Sequence, residues 1–330
     1  MENTQNNEFC PDMLSALKNA NSILLCCHIS PDGDAIGSLL AAGLGLQSMG
    51  KQVTMACGDS VPALLRFLPG AAEIVGPEAL KGKSFDLALS VDTATVELMG
   101  SCAAAYFAAP ITAQMDHHGS NTGYAQFNAV DGSASAAGCM VRRAMRALDI
   151  PLTKEIAACL YCAMSTDTGN FRYPNTTAEA FAIMTELMET GFDLAGEARI
   201  LHSLREVENA RLLGRALNSL KIFANGKCAC MRITAKDFRE AHALPEHNTA
   251  IVNYALDLPG VEACFLAEER ENGQVKASLR ALPGRDISTV ARRYGGGGHQ
   301  LAAGLRYPGT LDALCESLEQ DLTALVEGKE

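Results

Sequence analysis

Histidine and aspartate occur together in a short segment near the amino terminus of the chain. Residues 28–38 read His-Ile-Ser-Pro-Asp-Gly-Asp-Ala-Ile-Gly-Ser, so the His28 imidazole and the carboxylates of Asp32 and Asp34 fall within seven residues. Oxygen and imidazole donors of this kind are ligands for divalent cations. The segment therefore predicts a metal site; the alternative is an Asp-Gly turn with a solvated histidine.

Similar side chains recur where later elements are predicted to end. They are Asp92 after one apolar run, Asp116, His117 and His118 after another, and Asp167 after a helical pattern. Of two adjacent histidines, one can bind a metal while the other faces the substrate, and a nearby aspartate can orient an imidazole. For the Asp116-His117-His118 segment the alternative is an exposed polar turn.

Together these segments supply enough ligands for two divalent ions that share one bridging carboxylate. The candidate ligands are His28, Asp32, Asp34, Asp92, His117 and Asp167. Paired ions of this kind support in-line hydrolysis of phosphoesters. The mixed oxygen and imidazole set favours Mn²⁺, with Mg²⁺ or Co²⁺ as alternatives.

Buried strands alternating with helices would position these side chains. The apolar patterns predict strands over 23–27, 51–57, 85–91 and 110–115, and helices over 11–20, 36–49, 134–148, 154–164 and from a Thr176 cap to about 189. Open α/β sheets place their active sites at the carboxyl ends of the strands. We therefore expect an α/β domain whose strand ends carry the site.

The pattern changes after Lys227 to that of a smaller α+β domain. It predicts strands over 228–234, 261–268 and 274–281, with a hairpin at Asn272-Gly273, and helices over 248–256, 287–294 and 311–326. A long charged helix over 199–220 is predicted to connect the two parts. The expected division is a catalytic domain over 1–195, a helical linker over 196–225 and an accessory domain over 226–330.

Four consecutive glycines, Gly295 to Gly298, precede His299 in the second part. Without Cβ atoms, such a segment can turn its N–H groups toward a phosphate or let a base approach closely. The nearby Arg280 favours an anion site here, whereas the glycines alone would also suit a flexible hinge.

Composition narrows the class of protein. With 27 basic and 38 acidic residues, the net charge of −11 argues against binding long nucleic acid through its backbone.

The polar amino terminus lacks a secretory segment, so we expect a cytoplasmic protein whose twelve cysteines are free thiols. The pairs Cys159/Cys162 and Cys228/Cys230 suit core packing better than zinc. No apolar run predicts a membrane span.

The polar segments together resemble the motifs of the DHH phosphoesterase superfamily. The resembling stretches are 28–38, 91–93, 116–118 and 165–169, and 295–299 is similar to the signature of the Gly-rich accessory domain of that superfamily. They cover nearly the whole chain in the expected order. The length and the segment Phe171-Arg172-Tyr173 resemble the bacterial nanoRNase/pAp-phosphatase branch most closely.

This resemblance implies a role for each residue. One metal would be held by His28, Asp32 and Asp92, and the other by Asp34, Asp92, His117 and Asp167, so that Asp92 bridges. His118 would stay unligated near the scissile phosphate, with Asp116 orienting the histidine pair. Terminal phosphate would be bound by Arg280 and His299, with Gly296, Gly297 and Gly298 allowing close contact and Arg285 as a further candidate. The active site would lie in a cleft between the domains, where Tyr173 could stack a base while Phe171 packs in the core.

The function implied is Mn²⁺-dependent hydrolysis of very short oligoribonucleotides to mononucleotides and of 3′-phosphoadenosine 5′-phosphate (pAp) to AMP. One alternative is a phosphodiesterase of the cyclic-dinucleotide pathway acting on pApA, pGpG or c-di-AMP. Another, of a different class, is a non-catalytic nucleotide sensor. Superfamily pyrophosphatases carry a lysine- and arginine-rich accessory motif that this chain lacks, and the long single-strand exonucleases are larger. Long nucleic acid and membranes are not expected partners, and a homodimer stays open.

Overall fold

A computed structural model describes residues 9–328 of the chain. The contacts divide the chain into two units between Leu204 and Arg205. The domain limits predicted at 195 and 226 remain predictions.

The first unit is a parallel sheet with helices, as the sequence predicts. In chain order its elements are α1 (Pro11–Asn19), β1 (Ser22–Cys26), α2 (Gly33–Ser48), β2 (Gln52–Ala56), β3 (Leu87–Val91), α3 (Ala103–Ala108), β4 (Thr112–Asp116), β5 (Phe127–Val130), α4 (Ala137–Ala147), α5 (Lys154–Asp167), α6 (Ala178–Glu189) and α7 (Leu194–Ala198). The strand order is β2-β1-β3-β4-β5, and every pair is parallel.

The central strands are apolar because both faces of the sheet are covered. In β1, Ile23 and Leu25 pack into the larger core with α2, α4 and α5, while Leu24 and Cys26 pack on the opposite side with α3 and the turns before it. The edge strand β5 was not predicted, because only Ala129 of its four residues is buried and the apolar signal is weak. The central strands therefore fix the position of the strand ends that carry the candidate ligands.

The second unit is a mixed sheet packed by helices on its two faces. Its elements are α8 (Val207–Asn218), β6 (Lys221–Phe223), β7 (Cys228–Ile233), α9 (Ala235–Ala241), α10 (Asn253–Leu256), β8 (Ala263–Glu269), β9 (Val275–Ala281), α11 (Ile287–Arg293), β10 (Gly297–His299), β11 (Ala302–Tyr307) and α12 (Leu311–Glu327). The strand order is β10-β11-β9-β8-β7-β6. The pair β7/β8 is parallel and the others are antiparallel, including the predicted β8/β9 hairpin.

The prediction of one continuous helix over 199–220 is wrong. Helix α7 ends at Ala198, a π-helical turn covers Arg199–Ser203, and Leu204 is extended before α8 begins at Val207. Leu201 packs on the core of the first unit, whereas Leu212 is buried in a core of the second. The chain therefore breaks where its apolar contacts pass from one core to the other.

Smaller differences concern where helices begin and end. Helix α2 begins at Gly33, three residues earlier than predicted, because the Asp32 side chain caps it by accepting a hydrogen bond from Ala35 N–H. The predicted helix 248–256 is reduced to α10, and Thr177 rather than Thr176 caps α6. Helix α5 continues past its predicted end as far as Asp167.

The twelve cysteines are free thiols, and eleven of them are buried, including Cys159, Cys162, Cys228 and Cys230. The pairs Cys159/Cys162 and Cys228/Cys230 pack in the cores of the two units, as the sequence predicts. Within residues 9–328, no helix combines the length and the apolar character needed to cross a bilayer.

Candidate active site

The candidate metal ligands converge at the carboxyl edge of the parallel sheet. His28 follows β1, Asp92 follows β3 and His117 follows β4, while Asp34 lies in the first turn of α2 and Asp167 ends α5. Because β1, β3 and β4 are neighbours in one parallel sheet, their ends meet at one edge. The packing of α2 against α5 brings the last two carboxylates to the same place.

The ligand atoms form overlapping groups around Asp92 and His117. Three sets have their donor atoms within 4.8 Å of one another: His28, Asp32 and Asp92; Asp34, His117 and Asp167; and Asp92, His117 and His118. The first two sets share no residue. Asp92 extends from the first set to His117 of the second, as a bridging carboxylate would.

Separations between the imidazole nitrogens and carboxylate oxygens are slightly longer than hydrogen bonds. His28 Nε2 lies 3.4 Å from Asp92 Oδ2 and 3.8 Å from Asp32 Oδ1. His117 Nε2 lies 3.5 Å from Asp34 Oδ2 and 3.6 Å from both Asp92 Oδ1 and Asp167 Oδ2. Two ligand atoms each about 2.1 Å from one ion are spaced in this way.

Both imidazoles are oriented by backbone carbonyls on the side away from the carboxylates. His28 Nδ1 lies 2.7 Å from the carbonyl oxygen of Ile29, and His117 Nδ1 lies 3.3 Å from that of Ala134. When Nδ1 donates to a carbonyl, Nε2 carries the lone pair. Each histidine is thus held in the tautomer that presents Nε2 to a metal.

Asp92 is buried without the partners that a carboxylate needs. Its exposed fraction is 2%, and Oδ1 is buried with no hydrogen-bond donor. The backbone at Asp92 has a φ of 50°, in the left-handed region. An unpaired buried carboxylate is costly, and strained backbone concentrates at functional sites. A cation would satisfy this oxygen, so the donor set fits a metal centre.

Asp34 is equally buried but well hydrogen-bonded. Its Oδ1 accepts from Ser38 Oγ and from Gly138 N–H, and its Oδ2 accepts from Ala137 N–H at 2.6 Å, at the start of α4. Burial and the charges of Asp92 and Asp167 raise the pKa of Asp34 well above its ordinary value. The carboxylate is thus rigidly placed where negative charge accumulates.

The other site groups titrate in the same crowded surroundings. Burial acts to lower the pKa of His28, but the nearby carboxylates of Asp32 and Asp92 outweigh burial and raise the pKa to about 11. Burial raises the pKa of Asp167 to about 6, against the attraction of His117. Because the site has more carboxylates than cationic groups, its residues hold protons more tightly when no metal is bound. A bound cation would supply the positive charge that these carboxylates lack.

His118 differs from its neighbour because its Nδ1 is held by a carboxylate rather than by a backbone carbonyl. That nitrogen lies 2.8 Å from Asp116 Oδ1, and the pairing raises the pKa of His118 to about 8. The His118 side chain is 43% exposed, against 13% for His117. His118 therefore presents its remaining nitrogen to a ligand rather than completing the buried set.

Asp116 is fully buried and orients both histidines. Its Oδ1 accepts a hydrogen bond from His117 N–H, and its Oδ2 accepts one from Asn121 Nδ2. Asn121 is in turn fixed by Gln114, with both amide groups bonded to each other at 3.0 Å. Sequence reasoning missed Asn121 and Gln114; a glutamine inside an otherwise apolar strand was the available signal.

The predicted anion-binding residues lie in the second unit. Arg280 on β9 pairs with Ala302 on β11, which pairs with His299 on β10, so Arg280 and His299 lie in one row of the sheet. The last two glycines of the run are not a hinge, since Gly297–His299 is strand β10. A Cβ on Gly296 would lie 2.3 Å from the carbonyl oxygen of Gly304, and one on Gly298 2.5 Å from that of Ala302.

Arg285 is engaged within its own unit. Its Nε and Nη2 donate to Glu262 Oε2, and its Nη1 donates to the carbonyl oxygen of Leu325. In the first unit, the Phe171 ring packs 5.4 Å from that of Phe181, while Tyr173 is 52% exposed. Tyr173 is therefore the accessible aromatic ring of that segment.

Two parts of the chain match known domain families. Residues 22–164 match the DHH family, N-terminal domain, and residues 234–325 match the DHHA1 domain. The chain is 32% identical over 306 residues to the bifunctional oligoribonuclease and PAP phosphatase NrnA of Thermus thermophilus, covering 91% of this chain and 90% of that protein. A probable NrnA of Streptococcus mutans is 28% identical, covering 88% of this chain and 91% of that protein.

A solved structure has the same fold over nearly the whole length. It is an exopolyphosphatase-related protein from Bacteroides fragilis, with 25% sequence identity and a TM-score of 0.84, covering 96% of this chain and 95% of that chain. The order of elements thus belongs to a known architecture.

Proposed function

This chain belongs to the DHH family of phosphoesterases, and we propose that it is a hydrolase that cleaves very short oligoribonucleotides to mononucleotides and removes the 3′-phosphate of pAp. The observation that carries the proposal is the convergence of six imidazole and carboxylate side chains at one sheet edge, with a buried carboxylate oxygen of Asp92 lacking any donor. NrnA relatives that align over most of the chain support the choice of substrates.

The metals we propose are two Mn²⁺ ions, with Mg²⁺ or Co²⁺ as alternatives. One is held by His28, Asp32 and Asp92, and the other by Asp34, Asp92, His117 and Asp167. Bound ions of this kind lower the pKa of water and offset the charge on a phosphoryl group. Hard oxygen donors together with two imidazoles support this choice of metal.

The surrounding residues have separate tasks. His118 is placed to donate a proton to the leaving oxygen or to stabilise charge on the phosphate, because Asp116 holds its Nδ1 and leaves the other nitrogen accessible. Asp116 acts as a positioning residue through its bonds to His117 and Asn121. The shared carboxylate of Asp92 keeps both halves of the ligand set together.

In the second unit, Arg280 and His299 bind the terminal phosphate of the substrate. Their common row and accessible side chains support this role. Gly297, where an added Cβ would meet no atom, leaves room for close contact, while Gly296 and Gly298 keep β10 against β11. Arg285 is the least suited of the predicted contacts, since Glu262 and Leu325 occupy its donors.

The test is hydrolysis by the purified full chain with Mn²⁺. A labelled RNA dinucleotide should yield mononucleotides and pAp should yield AMP, while an Asp92→Asn variant should do neither. Hydrolysis of pApA, pGpG or c-di-AMP in preference to both substrates would favour a cyclic-dinucleotide phosphodiesterase. Binding of nucleotide without product under Mn²⁺, Mg²⁺ and Co²⁺ would instead indicate a sensor.

A further inference from the structure

One half of a sheet face in the second unit is not covered by helices. Residues of β7 and β8 on this face, among them Met231 and Leu266, are buried with α8, α9 and α10. On β9 the alternate residues Lys276, Ser278 and Arg280 are partly accessible, whereas the residues between them are buried on the other side. The uncovered half of this face therefore carries polar and basic side chains.

The strand register arranges these side chains in rows. Arg280 lies beside Ala302 and His299, Ser278 lies beside Gly304 and Gly297, and Lys276 lies beside Arg306. Paired residues of an antiparallel sheet project from the same face. The row with Lys276 and Arg306 is therefore on the same face as the proposed phosphate contacts, about 13 Å away along β9. The row between them bears only a serine and glycines, so no large side chain separates the two.

A cavity of about 680 Å³ lies at the Lys276 and Arg306 end of this face. Its lining includes Phe238, Arg239, Leu244, Arg270, Lys276 and Arg306. A cavity of this size is in the range that holds a small ligand. Four cationic side chains around one cavity, in a chain of net charge −11, indicate an anionic ligand.

The cations of the cavity are incompletely neutralised. Within residues 9–328, the side chains of Lys276 and Arg306 form neither a hydrogen bond nor an ion pair. Arg270 lies over the Phe238 ring at 5.0 Å and pairs with the buried Glu268, yet its Nη1 is buried without an acceptor. Arg239 has only a long contact, 3.9 Å, with exposed Glu271. The cavity thus offers the donors of Lys276 and Arg306, which the described residues around them do not use.

We propose that this cavity binds the part of an oligoribonucleotide substrate beyond the nucleotide held at Arg280 and His299. Lys276 and Arg306 bind a phosphate of the strand, and Arg270, whose guanidinium lies over the Phe238 ring, adds positive charge to the cavity wall. A mononucleotide or pAp cannot reach from one row to the other, whereas three or four nucleotides can. This inference rests on the proposed function and extends it to substrate length.

The experiment compares two matched double variants of the full chain. Lys276→Gln/Arg306→Gln removes both cations from the cavity. Lys221→Gln/Arg232→Gln removes a lysine and an arginine from the opposite face of the same sheet, where they pair with Glu319 and Asp312. Each protein is assayed with Mn²⁺ on pAp, a dinucleotide and a tetranucleotide. Binding of a labelled tetranucleotide is also measured by anisotropy in EDTA, where no turnover is needed.

The expected result is a selective loss. The cavity variant should bind the tetranucleotide about tenfold more weakly and raise its KM by a similar factor, because two charge-assisted contacts are lost. Its kinetics on pAp and the dinucleotide should match those of the control and the wild type. The effect on the tetranucleotide should shrink as salt is added.

Other outcomes overturn the inference. Equal tetranucleotide binding by all three proteins would do so, as would an equal loss on the dinucleotide and the tetranucleotide. AMP binding that the cavity variant loses, with tetranucleotide binding intact, would indicate a mononucleotide site instead. If the wild type hydrolyses neither substrate, the proposed function fails, while the anisotropy measurement still decides whether the cavity binds RNA.

Discussion

Gly37 in α2 lies so close to Cys159 in α5 that a Cβ at position 37 would be 2.5 Å from the Cys159 carbonyl oxygen. One turn earlier, a Cβ on Gly33 would be 2.4 Å from Thr166 Oγ1. Gly37 lets the backbones of the two helices approach each other, and Gly33 leaves room for the Thr166 side chain. Asp34 on one helix and Asp167 on the other are thereby brought to a common histidine, His117.

Gly37→Ala should therefore weaken both the fold and metal binding. The backbone of α5 cannot move as a flexible side chain would, so we expect a loss of about 1–3 kcal/mol in the free energy of unfolding. Urea unfolding measures the first effect and calorimetric titration with Mn²⁺ the second. Gly214→Ala in α8, where an added Cβ would meet no atom, is the control and should leave stability equal or slightly raised. A Gly37→Ala protein as stable as the wild type would contradict the close packing.

Asp92→Asn should separate stability from activity. The substitution removes a buried charge that has no donor at Oδ1, and asparagine tolerates the left-handed backbone at this position. We expect the metal-free variant to melt at or above the temperature of the wild type, while hydrolysis falls by at least ~10²-fold. Adding Mn²⁺ should raise the Tm of the wild type far more than that of the variant. Equal shifts in both proteins would show that Asp92 is not a ligand.

The adjacent histidines should respond differently to the same change. His118→Gln should keep its metal content and lose turnover by ~10²- to 10⁴-fold, as expected for a general acid. His117→Gln should lose bound metal as well, because the Nε2 atom of His117 faces three carboxylates. Metal analysis after gel filtration, together with kcat, distinguishes the two. Loss of metal from the His118 variant would assign that residue to the ligand set.

Glu186 in α6 gives a pH-dependent contribution to stability away from the site. Burial acts to raise the pKa of Glu186, but hydrogen bonds from Arg146 and Arg142 outweigh burial and hold the pKa below its ordinary value of 4.5. The folded state therefore favours the ionised carboxylate. Its contribution is present above pH 4.5 and is lost as the pH falls through the lower folded pKa.

Glu186→Gln should accordingly destabilise the protein at pH 7 by up to ~1 kcal/mol and have little effect at low pH. The measurement is urea unfolding of both proteins at several pH values. Glu189→Gln, on an exposed position of the same helix, serves as the control and should show no such trend. A difference that grew at low pH would contradict the sign of the shift.

The sequence was most informative where chemistry and local structure coincide. His28, Asp92 and His117 follow apolar runs, so the strands and the ligands at their ends are visible together in the sequence. Contacts between residues far apart in the sequence could not be predicted from such local patterns. The approach of Gly37 to Cys159, and the break of the chain at Leu204, depend on which surfaces meet in the fold.

In the second unit, too, part of the structure could not be predicted from the sequence. The glycine run suggested a loop, because glycine has low strand propensity and carries no alternating pattern. Pairing of β10 with β11 overrides that preference. The row containing Lys276 and Arg306 also depends on strand register, and β11 was not predicted from the sequence. For that reason, neither Lys276 nor Arg306 was predicted to belong to a site.

The strand that carries His299 has a thermodynamic consequence. Its backbone is already paired with β11, and Gly296 and Gly298 fit against that neighbour without space to spare. A flexible segment would lose conformational entropy on binding an anion, and that loss would weaken the affinity. Here the backbone is ordered before any ligand arrives, so the anion contact proposed for His299 would lose little affinity to backbone ordering.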